Sequence, residues 1–586
     1  HAGLLMLDVD KVLSSHYPQL EQRDWLKRPV RQTLKRLLHE QEFQAFAKRY
    51  PHLQGFEFIE QVLDYFNFSY RVSDREKERI PESGRVVIIA NHPIGSLDGL
   101  ALLKLVRSVR PDVKVMANEL LMQVDPLHSC LLPVNNMGGH TPKQNLTKIT
   151  QWLEHDGALI IFPAGEVSRV APTGIRDGAW HPGFLRMASK SNAPILPIHV
   201  QGRNSARFYG ASMLYKPLST LLLVEEMFRQ ENNTIAFTVG ELIPHHSYSA
   251  SANLPVKTRV KLFRKHLYRI AKGKKGLFPT ETAIASPEPR LALKRTLAAG
   301  QQLGQTPDGK LIYLLDYQAD SPVMREIGRL REVAFRDVGE GTGQRRDLFK
   351  YDQDYWHLVL WDPVELDIIG AYRLCDTHAT LAYRGVEGIY SASLFDYEQG
   401  MQPFLDQGLE LGRSFVQPKY WGKRSLDYLW LGIGALLAER PQYRYLFGPV
   451  TISNAMPQPA KELLIFFYRI YFSGDKSCAR SKRPYQLADS KKSELLDHFC
   501  GNNYARDLKK LKMLLDHLGV GIPTLYKQYS ELCEPGGVQF LDFGVDPDFA
   551  DCIDGLVLVD LTRLKPKRYQ RSIAPHLTNI PSSACE

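Results

Sequence analysis

Two hydrophobic periods divide the first part of the chain. Near the start, apolar residues recur at helical spacing in two groups, Val30, Leu34, Leu37, Leu38 and then Phe56, Ile59, Val62, Leu63, Phe66. From residue 85 the pattern changes to short apolar runs at 85–90 (RVVIIA), 113–117 (VKVMA), 158–162 (ALIIF) and 195–200 (ILPIHV), with helical segments between them. The pattern predicts helices over residues 1–80, followed by an α/β domain with a largely parallel sheet.

A change of composition marks a boundary near the middle of the chain. Residues 271–310 are rich in Gly, Pro, Thr and Ala, and we interpret 276–310 as a linker. A second alternating pattern begins at Leu311 and continues to the end of the chain. The sequence therefore predicts two α/β domains, one over 81–275 with a helical, membrane-associating region over 1–80 before it, and one over 311–586.

Composition and charge narrow the class of protein. Hydrophobic residues make up 44% and charged residues 24%, as in soluble globular proteins, and no apolar stretch approaches the roughly 20 residues of a membrane-spanning helix. The net charge of +10 suits an anionic membrane surface or an acidic protein partner, and without a basic run interleaved with aromatics nucleic acid is not expected. Because the seven cysteines are scattered without a C-x-x-C, we expect no metal site and no disulfide framework, which fits a reducing cytoplasm.

The first candidate site lies in residues 91–99 (NHPIGSLDG), between a predicted strand and a predicted helix. Ser96 is a good N-cap, and Asp98 would lie in the first helical turn, where negative charge is favourable. The loop can bring one ring nitrogen of His92 to the Asp98 carboxylate and turn the other toward the crevice at the strand's end. Such a histidine could take a proton from a hydroxyl group. A capping Asp beside an incidental surface His is the alternative interpretation of this segment alone.

Two later segments change the balance between these interpretations. Residues 162–169 (FPAGEVSR) and 194–197 (PILP), taken with 91–99, resemble the sequence blocks of the glycerol-phosphate and lysophosphatidate acyltransferase superfamily. The resemblance covers residues 80–210. It implies an O-acyltransferase in which His92 and Asp98 are catalytic, Gly165 and Glu166 support acceptor binding, and Arg169 contacts an anion. It also implies acyl carrier protein or coenzyme A thioesters as co-substrates, with no bound cofactor.

This segment departs from the superfamily pattern in two ways. The usual pair is H-x4-D, whereas five residues separate His92 from Asp98, and the form NHPxGxLDG resembles the hemolysin-like branch. The middle block of the superfamily supplies an arginine for the acceptor phosphate, but the matching region at 132–137 reads LPVNNM. An acceptor hydroxyl on a lipid without that phosphate is therefore expected.

The second half of the chain resembles another superfamily. Over residues 311–560 it is similar to the acyl-homoserine-lactone-synthase-like and ornithine N-acyltransferase branch of the GNAT superfamily. Five segments in order carry this resemblance: REVAF from Arg331, YDQDYWHL from Tyr351, GAYRL from Gly370, ELGRSFV from Glu410 and FGPV from Phe447.

The GNAT resemblance implies roles for particular residues. Glu410 would accept the proton of the acceptor amine, and the positions that bind substrate or organise the site are Arg331, Asp352, Asp354, Arg373 and Arg413. Residues 416–424 (VQPKYWGKR) resemble the acyl-donor loop, in which a helix N-terminus holds the pantetheine phosphate. Its expected donor contacts are Val416, Gly422, Lys423 and Arg424, the last standing where many GNAT enzymes have a second Gly.

Two geometries of the segment ELGRSFV are open. On a helix, Glu410 and Arg413 would form an i,i+3 salt bridge. On a strand, residues three apart point to opposite faces, and a bulge at Gly412 would be needed to turn Arg413 into the cleft. The residues after Gly412, with Val416 at the end, favour a strand.

The order of the two domains resembles the bifunctional ornithine lipid synthases of bacteria. The resemblance implies N-acylation of ornithine with a 3-hydroxyacyl group and then O-acylation of the lyso-ornithine lipid. The implied enzyme would use acyl carrier protein and bind peripherally to the cytoplasmic face of the bacterial inner membrane. Two alternatives stay open: a lysophospholipid acyltransferase with a non-catalytic GNAT-like domain, and a non-enzymatic, membrane-associated haemolysin-like or adaptor protein.

Overall fold

The computed structural model describes residues 24–117, 124–134, 143–214, 216–422 and 425–577. The chain divides into two compact units, residues 1–283 and 284–586, and each has its own sheet. Both units are mixed α/β, which confirms the predicted fold class. Within the described ranges, no helix is both long enough and apolar enough to cross a membrane.

Unit 1 is built on a seven-stranded sheet with the order β1-β9-β8-β2-β5-β3-β4. Its strands are β1 (Ser69–Arg71), β2 (Val86–Ala90), β3 (Val113–Ala117), β4 (Leu131–Pro133), β5 (Ala158–Ile161), β8 (Ile195–Gln201) and β9 (Thr234–Val239), and a separate hairpin is formed by β6 (Arg169–Ala171) and β7 (Gly174–Arg176). Every neighbouring pair in the sheet is parallel except β8 with β9. The four apolar runs predicted as strands are β2, β3, β5 and β8.

Helices cover this sheet and precede it. They are α1 (Asp24–Leu37), α2 (Glu40–Arg49), α3 (Gly55–Tyr65), α4 (Asp74–Lys77), α5 (Ser96–Arg107), α6 (Lys143–Glu154), α7 (Gly183–Ser191), α8 (Ala206–Leu214), α9 (Lys216–Arg229), α10 (His245–Ser249) and α11 (Val256–Ala271). Helices α1 to α3 fall where helical spacing predicts them. Residues 69–71 are instead a strand, because they pair with β9 at the edge of the sheet.

The apolar sequence of β2 follows from its central place in the sheet. All five of its residues are buried. Val86, Ile88 and Ala90 belong to the core on one face, whereas Val87 and Ile89 belong to the core on the other. A strand covered by helices on both faces is apolar without alternation. The polar residues that follow Ala90 therefore leave the core at the carboxyl end of the strand.

Unit 2 is built on an eight-stranded sheet with the order β10-β11-β12-β13-β15-β16-β19-β18. Its strands are β10 (Gln301–Gln305), β11 (Leu311–Asp316), β12 (Trp356–Asp362), β13 (Asp367–Asp376), β15 (Gly408–Val416), β16 (Tyr445–Ile452), β18 (Val538–Asp546) and β19 (Cys552–Asp560), and a separate pair is formed by β14 (Phe395–Tyr397) and β17 (Ala479–Ser481). The β15–β16 pair is parallel, and its ladder spans only Gly408 to Glu410. The other pairs in this sheet are antiparallel.

The helices of unit 2 pack on both faces of this sheet. They are α12 (Arg290–Ala298), α13 (Pro322–Asp337), α14 (Thr377–Arg384), α15 (Gln402–Asp406), α16 (Ser425–Glu439), α17 (Gln458–Tyr471), α18 (Asp489–Leu496), α19 (Tyr504–His517), α20 (Thr524–Ser530), α21 (Pro566–Ser572) and α22 (Ala574–Leu577). A short 3-10 turn, Lys350–Asp354, precedes β12.

The segment interpreted as a linker is partly folded. It contains α12 and β10, and β10 pairs antiparallel with β11. Leu293 and Leu297 lie one helical turn apart and are buried with residues of α13. The linker prediction rested on composition alone, which does not reveal that Leu293 and Leu297 recur at helical spacing.

Candidate active sites

The loop after β2 presents His92 at the carboxyl end of this central strand. Its position is fixed at both ends. The buried Asn91 side chain exchanges two hydrogen bonds with the backbone of Val200, at 2.7 and 2.8 Å. Helix α5 then begins at Ser96, which is the first helical residue rather than the N-cap, a position that Gly95 occupies with a φ of 134°. The His92 ring packs 4.3 Å from the Phe162 ring and is 20% exposed.

Asp98 holds the imidazole through a carboxylate that is itself fixed. His92 Nδ1 lies 2.9 Å from Asp98 Oδ1, and the Asp98 side chain is fully buried. The other oxygen, Oδ2, accepts from the backbone N–H groups of Ile94 and Gly95, at 2.9 and 3.3 Å. Because Asp98 faces Nδ1, the proton of neutral His92 is favoured on Nδ1, and Nε2 keeps its lone pair.

The surroundings make His92 a stronger base. Burial lowers the pKa of its imidazole, but the charge of Asp98 and the hydrogen bond to it raise the pKa by more, and Asp177 adds to this. The net effect is a raised pKa. A partly exposed imidazole with a fixed tautomer and raised basicity is suited to removing a proton from an alcohol.

The segment 162–169 lies directly against the His92 loop. The Ser168 N–H donates to the His92 carbonyl at 2.7 Å. Gly165 has a φ of 65°, which explains a glycine at this turn. Glu166 Oε2 lies 3.7 Å from Arg169 Nη2, and both side chains are partly exposed. The structure thus brings these predicted residues to the same loop cluster, with Arg169 beside a carboxylate. Asn135 to Met137 of the middle block lie outside the described residues.

Asp177, which the sequence analysis did not select, completes this cluster. It follows β7 and is 2% exposed. Its Oδ1 accepts from Ser168 Oγ at 2.6 Å and from the His92 N–H at 3.1 Å. Its Oδ2 accepts from Trp180 Nε1 at 2.9 Å. The only signal in the sequence is an Asp three residues before a Trp, which by itself does not point to a site.

In unit 2, four of the predicted residues form part of a buried ionic network: Arg331, Asp352, Arg373 and Arg413. Asp352 Oδ1 accepts from Arg331 Nη1 at 2.9 Å and from Arg373 Nη1 at 3.3 Å. Burial raises the pKa of Asp352, but the two guanidinium groups outweigh it and hold the pKa well below its usual range. Asp354 does not join this network, because it is exposed and pairs with Arg384 at 3.2 Å.

Arg413 enters the same region through a bulge in β15. Arg373 pairs with Gly412 and Ala371 with Phe415, so Arg413 and Ser414 oppose the single residue Tyr372. The φ of Arg413 is 48°. The strand and a bulge are therefore present and the helical alternative is wrong, but the bulged residues are Arg413 and Ser414 and not Gly412, which keeps a regular pairing with Arg373. The Arg413 side chain is 6% exposed, and its Nε lies 3.6 Å from Asp347 Oδ1.

Glu410 is enclosed in its own hydrogen-bond network. It is 1% exposed. Its carboxylate accepts from the hydroxyl groups of Tyr355 and Ser391 and from the Ser391 N–H, the last at 3.0 Å. Burial raises the pKa of Glu410 despite these donors. A carboxylate with three donors and almost no exposure stabilises the surrounding loops more directly than it reaches an acceptor amine.

Three other carboxylates near Arg413 were missed by the sequence analysis. Asp546 at the end of β18 accepts from the Tyr390 hydroxyl at 3.0 Å, and Asp554 on β19 accepts from Thr451 Oγ1 at 2.8 Å. Burial and the charge of Asp546 raise the pKa of Asp554 to about 7. Burial and Asp554 raise the pKa of the partly exposed Glu340 to about 8. These values place both groups near neutrality, but Asp554 is 3% exposed, so of the two Glu340 is the one open to exchange a proton with an amine.

The predicted donor loop follows β15. Val416 is buried and its carbonyl accepts from Trp421 Nε1 at 2.8 Å, while Gly422 is exposed with a φ of 79°. Lys423 and Arg424 lie outside the described residues. Helix α16 begins immediately afterwards, at Ser425. The sequence-predicted loop and helix start are therefore in place, while the contacts of its two basic residues are not described.

Comparison with known proteins assigns this arrangement to a family. Residues 11–275 match the Acyltransferase family, and residues 330–431 match the Acetyltransferase (GNAT) domain. Lyso-glycine lipid O-acyltransferase of Bacteroides thetaiotaomicron is 30% identical over 256 residues, which are 42% of this chain and 92% of that protein. The chain belongs to the acyltransferase family. It is an acyl-transferring enzyme with an N-terminal acyltransferase domain and a C-terminal GNAT domain.

Two further relatives of this acyltransferase are named as N-acyltransferases. Glycine N(alpha)-acyltransferase of Bacteroides thetaiotaomicron is 29% identical over 313 residues, covering 51% of this chain and 92% of that protein. L-ornithine N(alpha)-acyltransferase of Brucella abortus is 32% identical over 147 residues, covering 22% of this chain and 50% of that protein.

Proposed function

We propose that this acyltransferase makes a diacylated amino-acid lipid in two steps, with ornithine as the amino acid. The GNAT domain joins a 3-hydroxyacyl group to the α-amine, and the N-terminal domain then esterifies the 3-hydroxyl with a second acyl group. The observation that carries the two steps is that one chain is similar, over 92% of each relative, to an enzyme named for N-acylation of glycine and to an enzyme named for O-acylation of lyso-glycine lipid.

The geometry of unit 1 supports the second step. His92 Nε2 takes the proton of the lipid hydroxyl as its oxygen attacks the carbonyl carbon of the acyl thioester. The carbon–sulfur bond then breaks, and the leaving thiolate takes the proton back from the imidazolium. Asp98 remains ionised and stabilises the imidazolium that forms between these events.

The arrangement in unit 2 supports the first step. The amine of the amino acid attacks the thioester carbon, the thiolate leaves, and the amine loses a proton. We assign Glu340 as the group that accepts this proton, because it is partly exposed near Arg413 and burial together with the buried Asp554 raises its pKa to about 8. The β15–β16 ladder ends at Glu410, and the proposal places the extended donor chain beyond that point, where it would pair with the strand backbone.

Similarity to an L-ornithine N(alpha)-acyltransferase favours an acceptor with a second ammonium group. A cationic side chain bound beside the partly exposed Glu340 would also favour the ionised form of that carboxyl group. Ornithine has a second ammonium on its side chain, whereas glycine has none. Ornithine is therefore the proposed head group, and glycine is the acceptor to compare with it.

We further propose acyl carrier protein as the thioester donor and peripheral binding at the cytoplasmic face of the inner membrane. Residues 256–275 contain no Asp or Glu, and Lys257, Lys261 and Lys265 repeat every four residues on the exposed side of α11. In the described part of the chain these three lysines form no ion pair, so their charge is available to an anionic surface. Flotation with vesicles rich in anionic lipid should decrease in Lys261→Glu/Lys265→Glu and persist in the control Lys143→Glu/Lys148→Glu on α6.

The proposal is tested with the purified full chain, a 3-hydroxyacyl thioester and a second acyl thioester, each offered on acyl carrier protein or coenzyme A. Ornithine and glycine are supplied in separate reactions, and products are identified by mass spectrometry. The proposal expects a monoacylated and then a diacylated ornithine. Diacylated glycine in place of ornithine would correct the head group, and acylation of lysophosphatidate alone would contradict both steps.

A further inference from the structure

The buried carboxylate of Asp177 joins two segments that sequence comparison treats separately. One is the His92 loop after β2, and the other is the 162–169 segment after β5. Asp177 Oδ1 accepts from the His92 N–H at 3.1 Å and from Ser168 Oγ at 2.6 Å, so a single oxygen contacts both segments.

Both backbone groups of His92 are held by this junction. Its N–H donates to Asp177, and its carbonyl accepts from the Ser168 N–H at 2.7 Å. Asp98 acts on the ring of His92 and Asp177 acts on its main chain. The two carboxylates therefore fix different parts of the same residue.

Asp177 is itself held firmly in place. Trp180 Nε1 donates to its Oδ2 at 2.9 Å, and its own N–H donates to the Tyr268 hydroxyl at 2.9 Å. Arg264 of α11 donates to its carbonyl. The carboxyl group thus has three donors, two on Oδ1 and one on Oδ2, while its backbone is tied to helix α11.

We propose that Asp177 is a positioning residue for O-acyl transfer, which clamps the main chain of His92 and keeps a second negative charge near the imidazole. The inference rests on the proposed function of unit 1. It assigns Asp177 no contact with the substrate or the acyl donor, since the residue is 2% exposed.

The charges around His92 agree with this role. Asp98 and Asp177 both raise the pKa of His92, and Asp98 has the larger effect. The cations nearest to Asp177, Arg176 and Arg264, both lie over the Tyr268 ring, at 5.0 and 5.6 Å. Glu166 and Arg169 of the facing segment are paired with each other and offset one another's charge.

A purely structural role for Asp177 would also explain these hydrogen bonds. The negative charge of Asp177 distinguishes the two roles, because only the positioning role in O-acyl transfer depends on it. Asp177→Asn removes the charge, but its amide group would face the Trp180 N–H and add a clash between donors. Asp177→Asn/Trp180→Phe removes the charge and also the opposing donor, while Asn Oδ1 can still accept from His92 and Ser168. Trp180→Phe alone is the matched control for the lost indole.

The experiment uses the full chain with chemically prepared N-(3-hydroxyacyl)ornithine and an acyl thioester, so that the GNAT domain is not needed. The pH profile of kcat/KM is measured for wild type, Trp180→Phe and the double variant. Relative to Trp180→Phe, the double variant is expected to lose roughly tenfold in plateau rate. Its acid limb is expected to shift to lower pH by on the order of half a unit.

The outcomes separate this inference from the function on which it rests. A wild-type enzyme that does not esterify this lipid would refute the proposed O-acylation. An active wild type, with a double variant that matches Trp180→Phe in both plateau and acid limb, would overturn the role of Asp177 alone. A lower melting temperature with an unchanged acid limb would reduce Asp177 to a structural clamp and would also overturn it.

Discussion

The two sites hold their charged groups in opposite ways. In unit 1, the carboxylates of Asp98 and Asp177 are buried while His92 keeps a partly exposed ring. In unit 2, both members of the predicted pair, Glu410 and Arg413, have buried side chains, and Arg331, Asp352 and Arg373 are buried with them. In the first site, buried carboxylates hold one partly exposed group, His92. In the second site, most of the charged residues that were predicted to act on the substrate are themselves buried.

The comparison teaches which predicted residues can reach a substrate. Removing one partner of a buried ion pair is strongly destabilising. Substitutions of such residues are therefore expected to lower the stability of the fold before they change the chemistry. In unit 2 the group suited to proton transfer is Glu340, which is partly exposed and has a pKa raised to about 8. The resemblance to GNAT enzymes directed attention to Glu410 instead.

Asp98→Asn should give the largest effect on unit 1. The amide no longer stabilises the imidazolium and no longer enforces the proton on Nδ1 of His92. O-acylation should fall about 10²–10⁴-fold, with little change in N-acylation. Initial rates on the lyso lipid measure this, with the exposed Asp64→Asn as control. Equal rates for both variants would remove Asp98 from the mechanism.

Asp352→Asn should mainly affect folding of unit 2. Removing this charge leaves Arg331 and Arg373 buried without their shared carboxylate, which costs about 3–5 kcal/mol. Thermal unfolding measures the loss. Asp354→Asn is the matched control, because its side chain is exposed, and it should change stability by less than about 0.5 kcal/mol. A melting temperature unaffected in both would show that the network is not a support.

Glu340→Gln and Glu410→Gln sharpen the comparison within unit 2. Glu340→Gln should lower N-acylation by roughly 10²-fold and leave folding nearly intact, because its side chain is partly exposed. Glu410→Gln places an amide against donors from Tyr355 or Ser391 and should cost about 1–3 kcal/mol of stability. Lyso-lipid formation and melting are measured for both variants. A stable Glu410→Gln that has lost activity, beside an active Glu340→Gln, would return the role of base to Glu410.

The smallest effect expected is on the pH dependence of stability. Asp554 keeps its proton in the folded protein up to a pKa of about 7, whereas an unfolded Asp loses it near pH 3.9. Its contribution to stability is therefore complete below pH 3.9 and is lost as pH rises through 7. Between pH 5.5 and 8 the melting temperature of wild type should fall by more than that of Asp554→Asn. Parallel curves would contradict the raised pKa.

The parts of each site that are close in sequence were predictable. His92 and Asp98 share one loop, so their contact follows from a strand end, a short turn and a helix start. A bulge between Glu410 and Arg413 was predictable from strand alternation, but its position one residue after Gly412, at Arg413 and Ser414, was not.

Contacts between distant segments were not predictable from one sequence. Asp177 meets His92 from 85 positions away, through a hairpin whose path the residue types do not reveal. Asp554 lies near Arg413 because β16 and β19 pair, and that strand order needs the whole sheet. The helix Arg290–Ala298 was not predicted, because that segment was interpreted from its composition and not from the spacing of its apolar residues.

The central claim is that two sites act in sequence, and His92→Ala tests it most directly. The purified variant is incubated with ornithine, a 3-hydroxyacyl thioester and a second acyl thioester, and the lipid products are separated by mass. We expect the monoacylated lipid at the wild-type rate and no diacylated lipid above about a thousandth of the wild-type level. Diacylated lipid at a rate near that of wild type would contradict the account, because ester formation would then not depend on His92.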